Sequence, residues 1–143
     1  MFKNILIPVD LAHEEQFSRL MAAAVLLIGS NNAQIDLLYV DQSLVHQGSY
    51  PYLDNKTYVE HKKDAIARFE QLIKAFAPAH VNCVTSVRQG AAHDHIIEEA
   101  KVQQSDAILL MAKRPGIASY FLGSTAEKVV RHADCSVFVI RDQ

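Results

Sequence analysis

Cysteine is scarce in this sequence. Cys83 and Cys135 are the two in 143 residues. Two are too few for a disulfide framework, and their spacing matches no zinc pattern. Both read as buried thiols of a reducing compartment. Long apolar runs are missing as well: the longest, Leu20 to Ile28, is about half the length needed to span a bilayer. The first residues lack the apolar core and small-residue cleavage site of a signal peptide. The expectation is a cytoplasmic protein that engages no membrane. The formal net charge is -2, so there is no basic excess to serve as a nucleic-acid footprint. No block of like charges marks an interaction tail. Several signatures are absent: G-x-x-x-x-G-K-[ST], G-x-G-x-x-G and the G-x-S-x-G elbow.

What is present is an ordinary globular balance, 50% hydrophobic and 21% charged. The length suits one domain, residues 1–143, with no linker, repeat or low-complexity tract. Five short apolar segments read as strands: Ile5 to Val9, Ile35 to Val40, Val81 to Val87, Ala107 to Met111 and Val137 to Ile140. Four are nearly continuous apolar runs, the pattern of strands buried on both faces of a parallel sheet. The third alternates, with Val81, Cys83, Thr85 and Val87 on one side, and reads as an edge strand.

Four helical stretches lie between them. Glu14 to Ile28 places Phe17, Leu20, Met21, Ala24 and Leu27/Ile28 at three-to-four spacing, with Gly29 as C-cap. Asn55 to Ala77 is stopped by Pro78. Ala91 to Gln103 and Ser124 to His132 complete the set. Strict alternation predicts an α/β fold, a five-stranded parallel sheet with helices on two faces, as in flavodoxin-like or Rossmann-like units. The least structured stretch is Asp41 to Asp54.

Open parallel sheets bind ligands at the carboxyl ends of their strands. The connection after the fourth strand is the most informative. Lys113 and Arg114 follow Met111 and Ala112 at once, and Gly123-Ser124-Thr125 opens the last helix. A glycine lets the backbone approach an anion. The first N–H groups and the dipole of the helix then favour a phosphate. The hydroxyls of Ser124 and Thr125 add donors, and each cation contact with phosphate contributes about 1.5–3 kcal/mol. The same Gly-Ser-Thr is also a good helix start with nothing bound. Asp10, at the end of the first strand, suits either a ligand or the cap of the first helix.

Other polar clusters read as structure. His93-Asp94-His95 has histidines two apart, which diverge on a helix, and a solvated helix start explains it better than a metal. His13, His46, His61 and His80 read as surface residues, and His132 suits the end of its helix. Glu98 and Glu99 are helix neighbours that do not face each other. No catalytic residue and no metal ligand is assigned.

The chain resembles a universal stress protein along its whole length. Phe2 to Asp10 is similar to that family's first strand, and Leu122 to Arg141 to its last helix and strand. Within the family it is most similar to the enterobacterial subgroup with Arg-Pro after the fourth strand, here Arg114-Pro115. The resemblance implies a Rossmann-like, adenine nucleotide alpha hydrolase-like sheet in the order 3-2-1-4-5. It implies ATP, or AMP or ADP, as ligand, with Mg²⁺ riding on the phosphates. Pro8, Val9 and Asp10 would line the nucleoside pocket, and the backbone of Val40 would meet adenine. Met111, Ala112, Lys113 and Arg114 would wall ribose and phosphates, and Gly123, Ser124 and Thr125 would hold the phosphates. Of the motif G-x-x-G, nine residues, G-[ST], only Gly123-Ser124 is intact; Met111 and Lys113 stand near the places of the first two glycines. The resemblance also implies an antiparallel homodimer through Ser136 to Arg141, an apolar sheet edge. Three readings stay open: a nucleotide-responsive stress module, a dimeric scaffold without nucleotide, and a slow ATPase in which Asp10 and Asp41 assist.

Overall fold

The computed structural model describes residues 2–42, 55–112 and 123–141. Strands β1 (Asn4–Pro8), β2 (Gln34–Asp41), β3 (Asn82–Gln89), β4 (Ala107–Met111) and β5 (Ser136–Ile140) form one parallel sheet in the order β3-β2-β1-β4-β5. Helices α1 (Phe17–Ile28), α2 (Asn55–Phe76), α3 (Ala92–Val102) and α4 (Ser124–His132) alternate with them. The predicted sheet order and the edge position of the third strand are both observed.

The continuous apolar runs are explained by burial on two faces. Ile5, Leu6 and Ile7 of β1 are at most 1% exposed. Their alternation divides the core. Ile5, Ile7, Ile35, Leu37 and Leu109 pack with Phe17, Leu20 and Met21 of α1 and Phe69 of α2. Leu6, Leu38, Ile108 and Leu110 pack with Ile96 and Ala100 of α3 and Ala126 and Val129 of α4. Truncating a residue such as Phe69, fully buried, would cost about 3–5 kcal/mol.

Some element bounds differ from the sequence expectations. The helix expected from Glu14 begins as a 3-10 turn at Leu11–Gln16 and becomes α-helical only at Phe17. Asp10 sets this start: its side chain accepts from the Ala12 N–H at 2.9 Å. The backbone then leaves helical geometry at His13 (φ -131°, ψ 58°). β3 runs on to Gln89, two residues past the expected end, because β2 offers pairing partners as far as Asp41. Cys83 and Cys135 are half-buried rather than buried, and burial pushes both thiols up. No described helix is long and apolar enough to cross a membrane.

The chain runs from β1 outward through β2 to β3, then returns to place β4 and β5 on the other side of β1. The strand order therefore reverses between β1 and β4. A crevice opens at such a switch point, above the carboxyl ends of the strands.

Candidate functional site

An open cleft of about 760 Å³ lies at this switch point, within the usual range for small-molecule sites. Its rim is extended by backbone bonds beyond the strands. The Val9 N–H donates to the Leu38 carbonyl at 2.8 Å, and the Ala112 N–H to the Ile140 carbonyl at 2.8 Å. Pro8, Val9 and Asp10 line the cleft from β1, Val40 from β2, Met111 and Ala112 from β4, and Thr125 from α4. Four separated segments named from the sequence thus meet in one place. Lys113 and Arg114 lie outside the described residues, as does most of the stretch Asp41 to Asp54.

Gly123 precedes α4 with φ 92° and ψ 152°, a backbone that disfavours any Cβ. No side chain caps the helix there. Ser124 is exposed and does not line the cleft, whereas Thr125 does. Among the described residues the first turn of α4 thus presents backbone donors without a capping side chain, the arrangement that suits an anion.

Two carboxylates face the other half of the cleft, and each is tied to a histidine. Asp10 Oδ1 accepts from the Ala12 N–H, and its Oδ2 lies 2.9 Å from His13 Nδ1. Asp41, its side chain 3% exposed, lies 2.7 Å from His61 Nδ1 on α2. The Asp41 carbonyl accepts from the Gly90 N–H at 2.9 Å. A buried carboxylate needs such partners, since desolvation alone costs several kcal/mol. Tyr39 sits in the field of both acids. Burial, then Asp41 and Asp10, push its phenol above the usual range.

His13 and His61 are therefore not simple surface residues, as sequence reading has them; both line the cleft. His13 carried a local signal, three residues after Asp10. His61 is twenty residues from Asp41 and carried none. Ala92 and Ile96 of α3 also line the cleft, a contribution invisible before the sheet order was known. Among the described lining residues there are two carboxylates and no lysine or arginine.

No group of three or more metal-ligating side chains occurs among the described residues. His93 instead contacts Asp94 at 3.1 Å, and His95 packs against Gly90 and approaches Arg88 at 3.5 Å.

Comparison with known proteins agrees with this architecture. Residues 1–141 match the model of the universal stress protein family. Universal stress protein G of Salmonella typhimurium is 28% identical over 143 residues, covering 99% of this chain and all of that one. Among solved structures, universal stress protein UspA from Lactobacillus plantarum superposes with a TM-score of 0.70 at 29% identity, covering 98% of each chain. A universal stress protein in complex with cAMP superposes at 0.61 with 16% identity, covering 98% of this chain and 97% of that one.

Proposed function

The chain belongs to the universal stress protein family, and from that premise we propose that it is a cytoplasmic, dimeric stress-response module that binds an adenine nucleotide in the cleft. The observation that carries the reading is the meeting of Pro8, Val9, Asp10, Val40, Met111, Ala112 and Thr125 around one cleft, with an uncapped helix start at Gly123. An apolar wall suits a base, and free helix N–H groups suit phosphates. A relative of the same fold is in complex with cAMP, which supports the class of ligand. ATP is the preferred ligand, with AMP and ADP as alternatives and Mg²⁺ bound through the phosphates. Lys113 and Arg114 would supply the charge that the described lining lacks.

Binding is favoured over turnover. Asp10 and Asp41, the acids nearest to hand, are already engaged by His13 and His61. The dimer would form by antiparallel pairing of β5, whose outer edge has no partner strand among the described residues. The test is nucleotide analysis of heat-denatured purified protein together with melting in millimolar ATP. Release of an adenine nucleotide, or a melting temperature that rises with ATP, is the expected result. No released nucleotide and no shift would leave the scaffold reading in its place.

A further inference from the structure

The opposite side of the sheet carries buried acids that the cleft does not use. Asp36 of β2 and Glu99 of α3 are 2% and 5% exposed. Ser86 of β3 stands between them, its Oγ 2.8 Å from Asp36 Oδ1 and 2.8 Å from Glu99 Oε2. Two short oxygen–oxygen contacts in a row need two protons, and the serine hydroxyl has one. The second must come from a carboxyl group.

The neighbours decide which. Glu99 accepts from Arg88 Nε at 2.8 Å and from Gln103 Nε2 at 3.1 Å. Arg88 also meets Glu98 at 3.3 Å and approaches His95 at 3.5 Å, both on α3. Gln34 of β2 reaches Gln103 at 3.3 Å. Among the described residues no cation contacts Asp36, and its buried Oδ2 has no hydrogen-bond partner. The paired, donor-rich Glu99 is therefore the ionised member, and Asp36 holds the extra proton. Leu6 of β1 and Val84 of β3, the residues in register with Asp36, bring no charge to it.

We propose that the Asp36–Ser86–Glu99 chain is a proton-dependent clamp that docks α3 on β2 and β3 and thereby sets one wall of the cleft. α3 carries Glu99 in its second half and the cleft residues Ala92 and Ile96 in its first. Loss of the Asp36 proton puts two carboxylates on one hydroxyl in a dry site, and the repulsion is relieved by lifting α3. Burial, with the nearby Glu99 carboxylate, raises Asp36 to about 7, so the clamp weakens as the pH rises toward neutrality. Glu99 is held low, to about 2, by hydrogen bonds from Asp36, Arg88, Ser86 and Gln103 that outweigh its burial. It stays charged throughout this range. The consequence for ligand rests on the nucleotide reading; the clamp itself does not.

Hydrogen exchange of the free protein tests it, read as protection factors so that the intrinsic pH dependence of exchange cancels. Protection of the α3 amides is expected to fall by up to about tenfold per pH unit from pH 5 to 7, one proton being released on opening. It should level off by pH 8, while α1 on the other face changes little. Asp36→Asn, which stays neutral, should abolish the slope. If that variant does not fold, Glu99→Gln should move the fall to lower pH by removing the neighbouring charge. A pH-independent α3, an equal loss in α1 and α3, an unchanged slope in Asp36→Asn or an unmoved fall in Glu99→Gln overturns the clamp. Nucleotide release and ATP-induced melting shifts are measured separately, so failure of the ligand reading leaves this result standing.

Discussion

Gly90→Ala separates two physical demands at one residue. Gly90 has φ +138°, and a Cβ built there would lie 2.5 Å from His95 Nε2 and 2.9 Å from its Cδ2. The first demand is backbone: a residue with a side chain held at such a φ costs about 1–3 kcal/mol. The second is steric: His95 must turn away, an overpacking cost of about 1–3 kcal/mol. Gly90→Ala alone should therefore destabilise by about 2–6 kcal/mol, a large share of a typical 5–15 kcal/mol. In a His95→Ala background the steric part vanishes and about 1–3 kcal/mol remains. Equilibrium urea unfolding measures both. With a slope near 2 kcal/mol/M, the midpoint should drop by about 1–3 M in the single variant and by about half that against its own background. Equal costs in the two backgrounds would clear His95 as the obstacle. A cost below about 0.5 kcal/mol in both would refute the backbone argument as well.

Three further outcomes follow from the same structure. Asp36 is raised from 3.8 to about 7, so its contribution is full below its unfolded value and is lost as the pH rises through about 7. Glu99, lowered to about 2, contributes above its unfolded value and loses this as the pH falls. Chemical unfolding should show Asp36→Asn gaining roughly 1–3 kcal/mol relative to wild type between pH 5 and pH 8; a constant difference would contradict it. Removing both Lys113 and Arg114 as alanines should weaken ATP at least tenfold by calorimetry with the melting temperature of the free protein unchanged, and equal affinity would remove them from the phosphate site. Val139→Lys sets a charge in the middle of a paired β5 edge. Light scattering should then report 15.9 kDa instead of twice that mass, and a wild-type monomer would refute the dimer.

The fold was legible because it rests on patterns that survive in one dimension. Ile5-Leu6-Ile7 and Ile108-Leu109-Leu110 are apolar without alternation, which only a strand covered on both faces requires, and the third strand's weaker pattern marked it as an edge. The cleft was legible where its lining follows strand ends, at Pro8 to Asp10 and at Met111-Ala112. It was not legible where two distant residues meet through packing. Asp41 and His61 become partners only once α2 lies on the sheet, and Glu99 finds Asp36 only because β2 and β3 pair in register. Glu98 and Glu99 looked alike on the page. One is exposed and the other nearly closed off, a difference set by which side of α3 turns toward the sheet.

That division also orders the cleft. On the β1–β2 half the two acids are engaged inside the protein: Asp10 by Ala12 and His13, Asp41 by His61. A ligand there meets Pro8, Val9 and Val40 as apolar surface and backbone, a setting for a flat, weakly polar group. A second anion beside Asp10 and Asp41 would be repelled. On the β4–α4 half the first turn of the helix has donors with no side-chain cap among the described residues, and Thr125 adds a hydroxyl. Charge on a ligand is therefore favoured at one end and opposed at the other. On the nucleotide reading proposed above, this polarity would favour the base over β1 and β2 and the phosphates toward Gly123, because the protein has already satisfied its own acids at the first end.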